Sequence, residues 1–144
     1  MKNEFFLNFE AGMPKGTAQQ KGEAIRYKRV QGRVLPYIDH YRKPEVQASR
    51  NLLIIKMKRY RPELPSEKPI KLTVGLYFDV QNKKLWGKYK TTRPDCDNYV
   101  KEIKDVMTLL KFWKDDNQVV DLRVIKYYSE KASIHICMEE IEDG

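Results

Sequence analysis

A strand, a helix and a second strand in succession are the feature that most constrains the fold of this chain. Residues 70–79 alternate apolar side chains with others in strict period two, which predicts a strand with one buried face. Residues 97–110 repeat apolar side chains at helical spacing, which predicts a helix with one buried stripe. The apolar positions of that stripe are Tyr99, Ile103, Val106, Met107 and Leu110. Residues 119–128 form the next predicted strand, so a sheet packed against helices is the expected fold class.

The rest of the chain divides by the same criteria. The other predicted elements are a strand over 4–10, a loop over 11–22, two short strands within 24–39 that turn near Gln31 and Gly32, a helix over 45–60 with Pro44 in its first turn, a mobile basic segment over 81–92 and a strand over 132–141. We therefore predict an α/β (α+β) fold, with a mixed β-sheet packed with two main helices. The 144 residues provide for one core but hardly for two, so residues 1–144 are expected to form a single domain.

Composition excludes two classes of protein. Hydrophobic residues make up 41% and charged residues 33%, which is typical of a globular rather than a disordered chain. No apolar run approaches the roughly 20 residues of a membrane span, so we expect no membrane partner. The start of the chain is too acidic and its apolar run too short for a signal peptide. Cys96 and Cys137 form no close-spaced pair, and a reduced, cytoplasmic protein is the simpler interpretation.

Positive charge is concentrated in the first two thirds of the chain. Residues 1–94 carry 21 Lys and Arg against 8 Asp and Glu, whereas residues 95–144 carry 7 against 12. Basic surface attracts polyanions through the release of counterions, and this favours a nucleic-acid partner. The plainer alternative is that the charge of +8 only keeps the chain soluble.

Two basic segments also contain aromatic side chains, and they are the predicted DNA-contacting surface. Aromatic rings stack on bases while Lys and Arg meet phosphates. The candidate residues are Arg26, Lys28, Arg29, Arg33, Lys83, Lys84, Lys88, Lys90 and Arg93. An ordinary hairpin with Tyr27 and Tyr37 in the core explains the first segment equally well. An anchoring role for Trp86 under the second segment is a close alternative.

Four carboxylates flank the predicted helix over 97–110. Asp95 and Asp97 precede it, and Asp115 and Asp116 follow it. Helix capping explains one aspartate at the first position, but it does not require two there. Clustered carboxylates usually hold a hard divalent cation, so we expect both pairs to converge on one metal ion. Asp105, within the helix, has an open role.

Magnesium is the expected cation, with manganese as a possible substitute, because both prefer oxygen ligands. Lys101 lies one turn after Asp97 and either forms an ion pair with it or contacts a scissile phosphate. An EF-hand is excluded, because no Gly and no distal Glu follow at loop spacing. Neither His40 nor His135 has a partner that resembles a metal ligand nearby in the sequence.

The motif that surrounds these residues resembles the RusA family of Holliday junction resolvases. The matching positions are Arg93-Pro94-Asp95-Cys96-Asp97-Asn98-Tyr99-Val100-Lys101, then Phe112-Trp113-Lys114-Asp115-Asp116-Asn117-Gln118-Val119-Val120, and Lys126 in the next strand. The resemblance is dense across residues 93–126. Over the remaining chain it extends to the order of elements.

The resemblance implies a small homodimeric endonuclease, usually of bacterial or phage origin, that cuts four-way DNA junctions with two symmetric nicks and uses Mg²⁺. By position, Asp95, Asp97 and Asp116 resemble the metal-binding catalytic carboxylates, with Asp115 as a possible further ligand. Lys101 resembles the essential lysine of the family. Asn98 and Gln118 match motif positions that are expected to support the site.

Two alternatives to a junction resolvase remain open at this point. The same chemistry serves a nuclease that prefers flaps, replication forks or single strands. A basic DNA-binding protein without catalysis is the other alternative, with its carboxylates acting as caps and ion-pair partners.

Overall fold

The computed structural model describes residues 1–14 and 21–143, and its centre is a four-stranded mixed sheet. The strands are β1 (Lys2–Phe9), β2 (Lys21–Val30), β3 (Arg33–Arg42), β4 (Ile70–Asp79), β5 (Val119–Ser129) and β6 (Ala132–Glu140). The helices are α1 (Pro44–Met57) and α2 (Cys96–Leu109), with short 3₁₀ turns at Lys58–Tyr60, Lys83–Leu85 and Asp116–Gln118. The predicted α+β fold, with a mixed sheet and two main helices, is confirmed.

The order of strands fixes where the ends of α2 lie. The sheet runs β1-β6-β4-β5, and only β4 and β5 pair in parallel among its described strands. Because α2 connects these two parallel strands, it runs back along the sheet between them. The first turn of α2 therefore lies near the carboxyl ends of β4 and β5, and its last turn lies near the start of β5.

The core lies between this sheet and the two helices. One face of β4 is buried from Ile70 to Leu76, whereas Lys71 on the other face is exposed. The buried side chains from β4 and from the predicted stripe of α2 are Ile70, Leu72, Val74, Leu76, Tyr99, Ile103, Val106, Met107 and Leu110. On α1, Val46, Leu53 and Met57 are buried, whereas Leu52 is exposed.

Strands β2 and β3 form a separate two-stranded ribbon. They pair antiparallel from Lys21↔Arg42 to Val30↔Arg33, and the chain turns at Gln31 and Gly32 as predicted. Both backbones have positive φ there, which glycine adopts without strain and which two-residue hairpin turns require. Each strand has ten residues and is longer than predicted. Tyr27 and Tyr37 are exposed, which goes against the alternative of an ordinary hairpin with these two rings in the core.

The segment over 81–92 is tied down rather than free. The Trp86 indole donates a hydrogen bond of 2.8 Å to the Val80 carbonyl, which supports its interpretation as an anchor. The backbone of Gly87 donates to Tyr128, and Lys90 donates to Lys126, so the segment follows the outer edge of β5. The prediction of a mobile segment is therefore wrong for this part of the chain.

The loop predicted over 11–22 can be compared with the structure only in part. It falls partly on residues 15–20, outside the described chain, and its last two residues belong to β2.

Neither described α-helix has both the length and the apolar character that a membrane crossing requires.

Candidate active site

Asp95 and Asp97 stand at the first turn of α2 with their carboxylates exposed. Asp95 is the N-cap residue and has extended backbone, at φ −70° and ψ 146°, yet its side chain makes no capping hydrogen bond. Asp97 lies in the first turn, where the positive end of the helix dipole favours a carboxylate. Capping, the structural explanation for an aspartate at this position, therefore does not account for the Asp95 side chain.

The chain that leads into Asp95 is held by Lys126 of β5. Its ammonium donates to the carbonyl oxygens of Thr92 and Pro94, both at 2.7 Å. Because two backbone carbonyls accept hydrogen bonds from the ammonium of the half-buried Lys126, the segment that precedes α2 is fixed against the sheet. Lys126 thus positions Asp95 and Asp97 through the backbone that precedes them.

Tyr99 fixes the same turn of α2 from the other side. Its hydroxyl donates to the Pro14 carbonyl at 3.0 Å, and its ring meets Phe78 edge to face, with centroids 5.8 Å apart. Burial raises the pKa of the Tyr99 phenol well above its ordinary value. The first turn of α2 is therefore bonded on both sides and presents a rigid start of the helix.

Lys101 lies one turn beyond Asp97 and is exposed. Within residues 1–14 and 21–143, neither side chain takes part in a salt bridge with another described residue. The structure thus gives no support to the alternative in which Lys101 only pairs with Asp97. The ammonium is open to an external anion.

The segment after α2 is organised in the opposite way, because its first aspartate works as a cap. The Asp115 carboxylate accepts from the Asn117 backbone at 2.9 Å and starts the 3₁₀ turn over Asp116–Gln118. The Gln118 amide oxygen accepts from the backbones of Lys114 and Asp115, at 2.9 and 2.8 Å, which completes a capping box. The Asp115 side chain is therefore engaged in holding the turn.

Gln118 also ties this turn to the chain before β4. Its amide nitrogen donates to the carbonyls of Ser66 and Lys68, at 2.9 and 3.0 Å. The neighbouring Trp113 is fully buried, and its indole donates to Thr108 at 2.8 Å. The turn that carries Asp116 is thus anchored to α2 and to the segment before β4.

Asp116 itself makes no side-chain hydrogen bond or ion pair with the described residues. It lines an open cavity of about 430 Å³ beside the second half of α2. The other lining residues are Arg50, Asp105, Thr108, Leu109, Lys114 and Asp115. Asp105, whose role the sequence leaves open, therefore lies with Asp115 and Asp116 rather than with the first pair.

The convergence of both acidic pairs on one ion is not found in the described chain. The 14 residues of α2 span about 21 Å at ~1.5 Å per residue, and the two pairs stand at its opposite ends. No three His, Cys, Asp or Glu side chains of the described residues are grouped so that they would hold a metal ion. Because α2 connects two parallel strands, it separates the pairs instead of joining them.

The first pair alone still fits magnesium. Mg²⁺ is usually held by one or two carboxylates together with water and substrate phosphates, rather than by a cage made of protein alone. Asp95 and Asp97 offer two carboxylates that are exposed and free of capping bonds. Asp116 does not belong to that set within one chain.

Comparison with known proteins decides the family. A family model described as Endodeoxyribonuclease RusA matches residues 12–139. The chain is 35% identical over 144 residues to the crossover junction endodeoxyribonuclease rusA of Lactococcus phage r1t, with 98% of this chain and 100% of that protein covered. It is 31% identical over 132 residues to the uncharacterized protein YqaN of Bacillus subtilis strain 168, with 83% and 92% covered. The chain belongs to the RusA family.

The RusA motif of this chain contains two kinds of residue. Some make hydrogen bonds that hold the turns, and others have side chains without such bonds. Gln118, Lys126 and Asp115 make the hydrogen bonds that hold the two turns. Neither Asp95 nor Asp97 makes the capping hydrogen bond that is expected of an aspartate at the start of a helix. The dense motif thus combines a structural frame with free carboxylates, and sequence alone did not distinguish the two.

The predicted DNA-contacting residues lie in two places. Arg26, Lys28, Arg29 and Arg33 belong to the ribbon, whereas Lys83, Lys84, Lys88, Lys90 and Arg93 precede the acidic pair. Arg26 is paired with Asp39 at 2.6 Å, and Lys90 is half-buried, donating to Thr92 at 2.7 Å. These two have ionic or hydrogen-bonding partners within the chain, which makes their charges less available to phosphates.

One buried pair escaped the sequence analysis. Glu102 is only 3% exposed, and neither of its oxygens accepts a hydrogen bond from the described residues. Its one ionic partner there is Arg50 of α1, at 3.5 Å. The helical spacing places Glu102 next to Ile103 of the buried stripe, and this was the signal available in the sequence. Arg50 is itself mostly buried, with 16% of its side chain exposed.

Proposed function

We propose that this RusA-family protein is a Mg²⁺-dependent endodeoxyribonuclease that resolves four-way (Holliday) DNA junctions in recombination and repair. It introduces paired symmetric nicks, works as a homodimer in the cytoplasm, and forms one RusA-like domain over residues 1–144. The name of the phage relative, a crossover junction endodeoxyribonuclease, supports a four-way junction as the substrate. Mn²⁺ is a possible substitute for Mg²⁺.

One observation supports the chemistry above all others. Asp95 and Asp97 are exposed at a rigid helix start, and the Asp95 side chain makes no capping bond. Two free carboxylates this close repel each other and would cost stability without a cation. A site that keeps them uncompensated is suited to a divalent ion that arrives with a phosphodiester.

The residues of the chain divide the work as follows. Asp95 and Asp97 would hold the cation, which when bound would supply Lewis-acid stabilisation of charge on the phosphate oxygens. Lys101, one turn along α2, contacts the scissile phosphate and offsets the negative charge that develops in the transition state. Lys126 holds Thr92 and Pro94 so that the carboxylates keep their position. Hydrolysis leaves a 5′-phosphate and a 3′-hydroxyl end.

Asp116 stands at the opposite end of α2 from Asp95 and Asp97 within one chain, and its proposed role as a third catalytic carboxylate comes from its motif position alone. Asp115 is proposed as a possible further ligand on the same ground. The role of Asp116 is consistent with its lack of a structural partner among the described residues. The capping bond of Asp115 favours a structural role for that residue instead.

A homodimer suits the substrate by symmetry. A four-way junction has an approximate two-fold axis, and an isologous dimer presents two identical sites to it. Two sites allow opposing strands to be cut within one encounter. The exposed basic residues of the ribbon and of the segment before Asp95 are proposed to meet the phosphates.

The test is a nicking assay with the full chain. A synthetic four-way junction, a matched linear duplex, a flap and a fork are each incubated with Mg²⁺ or with EDTA. We expect paired nicks in the junction with Mg²⁺ only.

The other outcomes identify the alternatives. Equal cutting of flaps and forks would replace the junction resolvase with a broader structure-specific nuclease. A gel shift of the junction without any cleavage in Mg²⁺ or Mn²⁺ would reject catalysis and leave a DNA-binding protein.

A further inference from the structure

The ribbon of β2 and β3 has two faces of different chemistry. Side chains alternate along each strand, and directly paired residues share a face. The apolar face carries Glu23, Ile25, Tyr27 and Arg29 from β2, and Val34, Pro36, Ile38 and His40 from β3. The basic face carries Ala24, Arg26, Lys28 and Val30 from β2, and Arg33, Leu35, Tyr37 and Asp39 from β3.

The apolar face is open to solvent in the described chain. Ile25 is 70% exposed, Tyr27 68%, Ile38 60% and Val34 58%. These side chains adjoin one another across the ladder and form one continuous patch. A two-stranded ribbon is marginally stable by itself, and packing its apolar face against another surface supplies stability that it lacks. The patch therefore indicates an interaction surface.

Charge argues against DNA as the occupant of the apolar face. Its only formal charges at neutral pH are Glu23 and Arg29, which cancel. The basic face has three cations and the single carboxylate of Asp39, and Lys28 lies 5.6 Å from the centre of the Tyr37 ring. A polyanion is therefore drawn to the basic face, and the apolar face is left for protein.

The charges at the two ends of the apolar face point to a second copy of this chain. Glu23 lies at one end, with the Nδ1 atom of His40 3.5 Å from its carboxylate, and Arg29 lies at the other end. If two such faces meet about a two-fold axis that lies in the interface and runs perpendicular to the strands, Glu23 of one copy comes opposite Arg29 of the other. The arrangement is repeated on the other side of the axis, so the face is complementary to itself.

We infer that the apolar face of the ribbon packs against the same face of a second copy and forms part of the dimer contact. This rests on the homodimer of the proposed function and assigns it a surface. It also assigns Arg29 to protein contact rather than to DNA. The basic faces of the two ribbons then point outwards, where they are available to the arms of a junction.

The size of the face sets the conditions of the test. Seven residues of extended chain span about 24 Å, and two strands are roughly 10 Å wide, so the flat footprint is about 240 Å². A standard interface buries about 800 Å² on each partner. The ribbon contact by itself is therefore weak, and self-association must be followed up to high micromolar concentration.

The first measurement is sedimentation equilibrium of the full chain without DNA. We expect Ile38→Asp to raise the dissociation constant of the dimer about tenfold or more, because it places a charge in the centre of the patch. Leu35→Asp is the matched control, since it adds the same charge to the same strand on the basic face. It is expected to leave the dissociation constant unchanged.

The second measurement is a charge exchange. Glu23→Arg alone and Arg29→Glu alone place like charges opposite each other and should both weaken the dimer. The double variant restores the opposite pair and should recover most of the loss.

Several results would overturn the inference. These are a wild-type chain that stays monomeric, an Ile38→Asp chain that associates as the wild type does, equal loss with Leu35→Asp, and a double charge variant that recovers nothing. An Ile38→Asp chain with normal association but weakened junction binding would assign the face to DNA instead. Because association is measured without DNA or Mg²⁺, failure of the nicking assay is a separate result.

Discussion

The two ends of α2 carry the same kind of residue in opposite states. At the start of the helix, Asp95 and Asp97 are exposed, and the Asp95 carboxylate leaves its capping position unused. Beyond the end of the helix, Asp115 caps a 3₁₀ turn that Gln118 fastens to the chain before β4. An aspartate at a helix or turn start is thus structural at one end and left free at the other.

The difference shows that an acidic motif is not a uniform set of ligands. At the turn after α2, carboxylate and amide oxygens accept hydrogen bonds from backbone N–H groups, so they are not free to bind a cation. At the start of α2, Lys126 holds the backbone instead, and the carboxylates remain available to a cation. The assignment of catalytic and structural aspartates can therefore be tested one end at a time.

The largest effect is expected at the start of α2. Asp97→Asn removes one negative ligand while keeping the size of the side chain, and we expect cleavage to fall by about 10³-fold, since metal stabilisation supplies several kcal/mol. Single-turnover nicking of a labelled junction measures the loss. Junction binding in Ca²⁺ should persist. Asp121→Asn, at an exposed position on β5, is the matched control and should cut normally.

The second effect asks whether the far end takes part in catalysis. Asp116→Asn is expected to lower cleavage by about 10²-fold with little change in stability, because its carboxylate has no structural partner in the described chain. The same nicking assay and a thermal melt measure the two quantities. Unchanged cleavage would make the end of α2 purely structural and leave the reaction to Asp95 and Asp97.

Lys101→Ala addresses the cation beside the first pair. We expect a loss of cleavage of about 10²-fold and a smaller change in affinity, because its charge acts on the transition state. Comparing the cleavage rate constant with the dissociation constant of the junction separates the two. A change confined to thermal stability would instead restore the ion pair with Asp97 as its role.

Gln118→Ala should affect stability more than chemistry. The variant removes two accepted and two donated hydrogen bonds, so a loss of about 2 kcal/mol is expected at roughly 0.5–1.5 kcal/mol per bond, partly offset by water. Urea unfolding gives the free energy of unfolding. A cleavage defect in a variant of normal stability would contradict the structural role.

The smallest effect is the loss of the Asp115 cap. Asp115→Ala is expected to cost about 1 kcal/mol, whereas Asp115→Asn retains a capping oxygen and should cost a few tenths. Urea unfolding of the two variants measures the difference. If Asp115→Asn abolished cleavage while the fold stayed intact, Asp115 would join the catalytic set and the contrast between the two ends would fail.

Sequence predicted most of the elements because local patterns specify them. The alternation over 70–79 gave β4 with its bounds, and the helical stripe gave α2 within one residue at each end. The turn at Gln31 and Gly32 followed from its residues, but the exposure of the ribbon did not. Which faces of a strand pair are buried depends on what the rest of the chain places against them.

By itself, the sequence determined the strands and helices, the stripe of α2, the basic character and the motif of the RusA family, because each is written in neighbouring residues. Only the tertiary structure decided that Asp116 stands at the opposite end of α2 from Asp95 and Asp97, because the parallel pairing of β4 with β5 makes α2 a connection across the sheet. It also decided which acidic residues are spent on hydrogen bonds. Both depend on partners distant in the chain, such as Lys126 for Pro94 and Gln118 for Ser66.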